Sequence, residues 1–243
     1  MSRTSKLAMR EVSRSFASRG GWVHALWGVS FDLAPGTFTA LMGPSGSGKT
    51  TLVNCAVGVD RPSSGGVFLD GTDLGALNDR QLAVFRRSRV GFVYQDYALM
   101  EALTVGENIE LPSRIAKTAL DRDWVRRLAE RTGIDDLLGR RIDQLSGGQQ
   151  QRVAIVRALS LKPAVVVADE PTGALDPASA REITSLLRDL AGEYGNTILM
   201  ITHDPLVASR ADRVLVLSKG RIDREVEGAD PGDLLDDLLA AAD

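Results

Sequence analysis

Phe38-Thr39-Ala40-Leu41-Met42-Gly43-Pro44-Ser45-Gly46-Ser47-Gly48-Lys49-Thr50-Thr51 joins an apolar run to a glycine-rich turn and then to a helix-forming stretch. That order, strand then turn then helix, is the setting a phosphate-binding loop requires. Gly43 and Gly48 let the backbone turn where a Cβ would obstruct it. Successive N–H groups then point into the bend, and the following helix adds its positive end. Lys49 reaches the outer phosphate oxygens as a point charge, and Thr50 offers a hydroxyl to Mg²⁺. Pro44, Ser45, Gly46, Ser47 and Thr51 complete the cradle. A mere glycine-rich surface turn would not account for the strand before it.

The chain has 243 residues, enough for a large α/β domain with a subdomain. Apolar residues make up 44% and charged residues 25%, the balance of a globular protein. No apolar run approaches the 18 or so residues that span a bilayer, and the basic N-terminus lacks the apolar core of a secretory signal. Cys55 is the one cysteine, so intrachain disulfides and cysteine metal clusters are excluded. It reads as a small buried apolar side chain, and the usage fits the cytosol. The net charge of −3 argues against a nucleic-acid partner. The ends differ: residues 1–19 hold five basic groups and one acidic, residues 223–243 eight acidic and one basic.

Strands are expected over Trp22 to Leu26, Val29 to Leu33, Val67 to Leu69 and Val90 to Tyr94, with buried parallel strands at Val165 to Ala168, Thr197 to Ile201 and Val214 to Leu217. Lys219-Gly220 turns into a strand over Arg221 to Val226. Helices are expected over Lys49 to Val57, Leu77 to Arg89, Leu120 to Thr132, Arg152 to Leu161 (ended by Pro163), Ala178 to Tyr194 and Asp233 to Ala242. Strands and helices alternate at both ends of the chain, which predicts a mostly parallel sheet. Residues 96–152 interrupt it with helix alone. The expected organisation is a core of residues 7–95 and 153–227, a helical subdomain at 96–152 and a short acidic C-terminal helix at 228–243.

Asp169 and Glu170 follow the strand Val165 to Ala168, where ligand groups collect in a parallel sheet. Asp169 is placed to hold Mg²⁺ through water, and Glu170 to polarise a water attacking the γ-phosphate. The competing reading has the two acids cap a helix at Pro171-Thr172. His203 follows the strand Thr197 to Ile201 in the same manner. It either orients the attacking water or caps the helix from Pro205. Gln95 ends the strand Val90 to Tyr94 and by itself is uninformative. Phe16 or Trp22 could stack on a base, although core packing suits both equally; Trp27 reads as core.

At Leu145-Ser146-Gly147-Gly148-Gln149-Gln150-Gln151-Arg152 the chain resembles the ATP-binding cassette ATPases. The likeness spans about residues 7 to 227 and includes the order of motifs: phosphate loop, Gln95, signature, Asp169-Glu170, the loop Gly173-Ala174-Leu175-Asp176, His203. It implies a P-loop core with an N-terminal antiparallel β subdomain and an inserted helical subdomain, with ATP and Mg²⁺ as ligands. Ser146, Gly147 and Gly148 begin a helix and so form a second anion-binding end about a hundred residues from the first. One chain cannot easily bring both ends onto one phosphate; a two-fold dimer can. By resemblance, two copies sandwich two ATPs head to tail. Ser146 and Gly148, with Gly147 and Gln149, then meet the partner's γ-phosphate, and Asp176 crosses the interface. Phe16 corresponds to the family's adenine-stacking aromatic. Glu170, His203, Lys49 and Gln95 are implied as catalytic, and Thr50, Gln95 and Asp169 as the Mg²⁺ set. Ala168 stands where a larger Leu is usual, and Gly66 where a polar residue is; neither removes chemistry.

Gly58-Val59-Asp60-Arg61-Pro62-Ser63-Ser64-Gly65, Glu107-Asn108-Ile109 and Glu170-Pro171-Thr172-Gly173 are similar to ATPases of the macrolide-exporter and lipoprotein-releasing type, which pair with a separately encoded membrane permease. This implies a location at the cytoplasmic face of the membrane and the export or extraction of a hydrophobic or peptide-like substrate. The alternative is a cell-division-type ATPase that signals without moving a solute. Tyr97-Ala98-Leu99-Met100, with Leu103, either borders a groove for a permease helix or belongs to the core of the helical subdomain.

Overall fold

The computed structural model describes residues 5–18 and 21–242; the basic residues Arg3 and Arg19 and the terminal Asp243 lie outside them. The chain builds two sheets. The first runs β2-β1-β4-β5, from β1 (Leu7–Ser18), β2 (Gly21–Leu33), β4 (Ser64–Leu69) and β5 (Thr72–Asp73), and every pairing is antiparallel. The second runs β10-β9-β3-β8-β7-β6, from β3 (Phe38–Met42), β6 (Val90–Val93), β7 (Val165–Asp169), β8 (Ile198–Ile201), β9 (Arg213–Ser218) and β10 (Arg221–Glu227). Its pairs are parallel except for β10, an antiparallel edge.

The central strands are covered on both faces, which is why they read as unbroken apolar runs. Side chains alternate across a strand. Phe38, Ala40 and Met42 of β3 therefore enter one core with Val166 and Ala168 of β7 and Ile198 and Met200 of β8, beneath the helices. Leu41, Val165, Val167, Leu199 and Ile201 enter a second core, shared with the antiparallel sheet.

The helices are α1 (Lys49–Ala56), α2 (Asp79–Arg89), α3 (Val105–Ala116), α4 (Arg122–Thr132), α5 (Gly147–Leu159), α6 (Pro177–Tyr194), α7 (Pro205–Ala208) and α8 (Pro231–Ala242). Their starts carry caps: Asn78 with Gln81, Thr104 with Glu107 and Ser146 with Gln149 form reciprocal boxes, and Asp121 and Asp176 accept from first-turn N–H groups. α5 begins at Gly147, as the signature reading expects and five residues before the Arg152 of the periodicity alone; the Ser146 box offsets the two glycines that weaken helix propensity. α3 is absent from the sequence-based set, since Pro112 inside it reads as a breaker. The two strands expected over residues 22–33 are one, β2, with Gly28 at φ 57 absorbing the irregularity. Trp27 is not core: it is 41% exposed, stacked on His24 with Arg221 over its ring. Cys55 is buried, as expected. Among the described residues no helix is long and apolar enough to cross a membrane.

Candidate nucleotide site and signature helix

The loop after β3 is shaped by close approach. A Cβ on Gly43 would lie 2.1 Å from the Leu217 carbonyl oxygen, and one on Gly48 2.5 Å from that of Ala25. Gly43, Gly46 and Gly48 all have positive φ. Gly48 caps α1 without a side-chain hydrogen bond, so the first N–H groups of α1 remain available to an anion. Lys49 Nζ donates to Gly43 O at 2.7 Å and Pro44 O at 2.8 Å, holding the ammonium within the loop. Burial holds its pKa below the ordinary lysine value, while Glu170 and Asp169 act in the other direction.

Strands β3, β6, β7 and β8 are parallel, so their C-terminal ends share one edge. That edge carries the phosphate loop, Gln95, Asp169-Glu170 and His203. Burial, and then the neighbouring Glu170, raise the Asp169 carboxyl above the usual range, and Lys49 opposes them. A cavity of about 270 Å³ is lined by Thr50, Asn54, Tyr94 and Asp169. One hydroxyl and one carboxylate are hard oxygen donors that suit Mg²⁺, which takes few protein ligands and fills its shell with phosphate and water. No group of three His, Cys, Asp or Glu among the described residues gathers into a denser metal cage.

Glu170 sits at φ 45, a left-handed backbone unusual for its type. Its N–H donates to Ile201 O and its carbonyl accepts from Gly173 N, each at 3.0 Å. His203 Nδ1 lies 2.7 Å from Glu170 Oε1. Neither competing capping reading survives. The next helix after Glu170 is α6, capped by Asp176, and α7 is capped by Asp204 rather than by His203. Gln95 rests elsewhere than along the Thr50–Asp169 cavity: a Cβ on Gly173 would lie 2.8 Å from its Nε2.

Ser146 Oγ accepts from Gln149 N, and Gln149 Oε1 accepts from Ser146 N at 2.9 Å. The Gln149 amide oxygen is thus committed to capping, and Gly147 and Gly148 supply the open N–H groups of α5. The Tyr97 hydroxyl and Leu175 border Gly147. Asp176 accepts from Ala178 N, Ser179 N and Ser179 Oγ, bonds that hold its carboxyl below the usual range.

Phe16 pairs with Val23 and Trp22 with Ala17, and both aromatics are exposed, so neither is core. Val23 lies two residues from Ala25, whose carbonyl abuts Gly48, so Phe16 stands one strand from the phosphate loop.

The apolar stretch after Gln95 divides. Leu99 packs against the helical core while Met100 is exposed. Ala98 borders a groove of about 330 Å³ together with Phe92, Tyr94, Pro112, Ile115 and Arg157. Arg157 is buried there and donates to the carbonyls of Tyr97 (2.8 Å) and Ala98, a contact sequence reading missed. An arginine eleven residues past Ser146 carries no pattern that announces it.

A mostly parallel sheet with a strand–glycine loop–helix turn, edge carboxylates and a second glycine-led helix start after Ser146 defines a cassette-type P-loop nucleotide hydrolase. Residues 26–173 match the family described as ABC transporter. The chain belongs to that family, and it is an ABC-type ATPase that binds and hydrolyses ATP.

It is 40% identical to the ABC transporter ATP-binding protein YxdL of Bacillus subtilis, over 90% of this chain and 86% of that protein. It is 46% identical to the lipoprotein-releasing system ATP-binding protein LolD of Anaeromyxobacter dehalogenans, over 81% and 84%. Against the macrolide export ATP-binding/permease protein MacB 1/2 of Paracoccus denitrificans the identity is 44%, over 93% of this chain but 35% of that longer protein. The dimeric structure of MJ0796, a bacterial ABC transporter cassette, superposes with a TM-score of 0.79 at 35% identity, covering 92% of this chain and 99% of that one.

Proposed function

We propose that this ATPase works as a head-to-tail dimer beneath a separately encoded membrane permease and powers the export or extraction of a hydrophobic or peptide-like substrate. The observation that carries the dimer is a separation within one chain. The phosphate loop follows β3, whereas the helix that starts with the signature, α5, packs beside β6, three strands away. Three strand spacings of about 4.8 Å amount to roughly 14 Å, and the signature end of α5 borders Tyr97 and Leu175 rather than the phosphate loop, so the two helix ends of one chain do not meet on one γ-phosphate. A two-fold partner brings its own Gly147 and Gly148 to the triphosphate held by Lys49.

In that closed site Phe16 stacks on adenine, and the N–H groups of residues 43–51 cradle the phosphates. Thr50 and Asp169 would hold Mg²⁺, with Gln95 joining on closure, and the ion would supply positive charge to the phosphates. Glu170 accepts a proton from the attacking water. Its hydrogen bond to His203 Nδ1 fixes the carboxylate and leaves Nε2 to face the γ-phosphate. Lys49 and the partner's helix end take up the charge that develops. Asp176 stands at the same edge, beside the signature helix, where it can meet its counterpart across the interface.

The permease reading is supported by the groove between α2, α3 and α5, whose apolar walls suit a short helix. It is supported also by the relatives, one named for macrolide export and one for lipoprotein release. Such a complex would place this chain on the cytoplasmic face of the membrane. The test is Glu170→Gln. With Mg²⁺ and excess ATP the variant is expected to lose turnover by about 10²-fold or more and to run as a dimer on size exclusion with light scattering, the wild type returning to monomer as ATP is consumed. A variant that stays monomeric at saturating ATP would sink the proposal.

A further inference from the structure

We infer that Arg14 is a positioning residue for the nucleotide base: its guanidinium backs one face of the Phe16 ring and leaves the other face free to stack. This rests on the reading of Phe16 as the adenine-stacking ring. The guanidinium carbon of Arg14 lies 4.4 Å from the ring centroid, within cation–π range. Residues 14 and 16 are two apart on β1, and alternation along a strand places both side chains on one face.

Two further observations say what holds the arginine there. Its Nε is buried and has no hydrogen-bond partner, and no carboxylate lies within 4 Å of it among the described residues. The ring is therefore its principal partner. Phe16 itself stays 38% exposed with the guanidinium over one face of its ring, so ring surface remains open to a base. Phenylalanine has no hydroxyl to tether it. A planar cation behind it restricts the ring's rotation before a base arrives, and draws electron density from the face on which an electron-rich purine would lie.

The experiment is calorimetric titration of ATP and of inorganic tripolyphosphate, each with Mg²⁺, into wild type, Arg14→Ala, Arg14→Lys, Phe16→Ala and the double variant. Tripolyphosphate reads the phosphate loop without the base, and so also reports that each variant is folded. Arg14→Ala is expected to weaken ATP binding about two- to fivefold, leave tripolyphosphate unchanged, and raise KM without lowering kcat. Arg14→Lys should fall between, keeping the charge but not the plane. In the Phe16→Ala background Arg14→Ala should have no further effect.

Equal weakening toward both ligands, tighter ATP binding in Arg14→Ala, or additivity in the double variant would each overturn the proposal while leaving Phe16 in its place. Unchanged ATP affinity in Phe16→Ala would remove the base-stacking reading, and this inference with it.

Discussion

At the residue scale the site depends on atoms that are missing from side chains as much as on those present. Gly43 has room for hydrogen alone against the Leu217 carbonyl, so Gly43→Ala should displace the loop from β9 and abolish ATP binding, read by the same titration, while far-ultraviolet circular dichroism stays unchanged. Glu170 carries a left-handed backbone that costs about 1–3 kcal/mol and is tied by its own N–H and carbonyl. That strain aims the carboxylate at His203 and the sheet edge. Cys55 makes the opposite case, a reactive atom made inert: burial pushes its thiol up to about 11. At pH 8 its thiolate fraction is then on the order of one in a thousand, so Ellman's reagent should react slowly with native protein and rapidly once denaturant unfolds it. The phosphate loop was legible here because glycine spacing reports backbone sterics directly. Arg14 and Arg157 were not, since an arginine reads as surface until the tertiary structure shows what lies under it.

Between elements, close contact joins the signature helix to the sheet edge. Gly91 of β6 sits under α5, where a Cβ would lie 2.3 Å from the Ala158 carbonyl oxygen. Gly91→Ala should therefore cost about 1–3 kcal/mol or more, measured by urea unfolding, by forcing β6 and α5 apart. The guanidinium fork of Arg157 performs the complementary task. It binds the carbonyls of Tyr97 and Ala98, both at positive φ, and so carries the segment after Gln95 along with α5. Arg157→Lys keeps the charge but cannot fork; amide exchange over residues 96–99 should quicken and turnover should fall severalfold. Helix existence was legible from periodicity, as over Leu120 to Thr132, whereas the caps at Asn78 and Asp121 emerged only with the structure. The existence of α3 was not legible, because packing overrode the local signal of Pro112.

For the whole molecule, the groove walled by Tyr94, Ala98, Pro112 and Ile115 tests the proposed coupling to a permease. Ile115 is 54% exposed, so Ile115→Asp should leave the ATPase activity and melting temperature of the isolated chain near wild type while removing the change in activity caused by adding the membrane partner. Leu99→Asp is no substitute, because Leu99 packs into the helical core and its exchange should cost soluble protein. By itself the sequence determined the phosphate loop, the carboxylate pair and the parallel core, because these are written in contiguous residues whose spacing obeys local sterics and strand or helix period. The tertiary structure alone decided that Gln95 rests on Gly173, that Arg157 grips the strained backbone after it, that Trp27 faces solvent, and that α5 packs beside β6, three strands from the strand that feeds the phosphate loop. Those facts join residues distant in the chain, and no local propensity encodes a distance across a sheet.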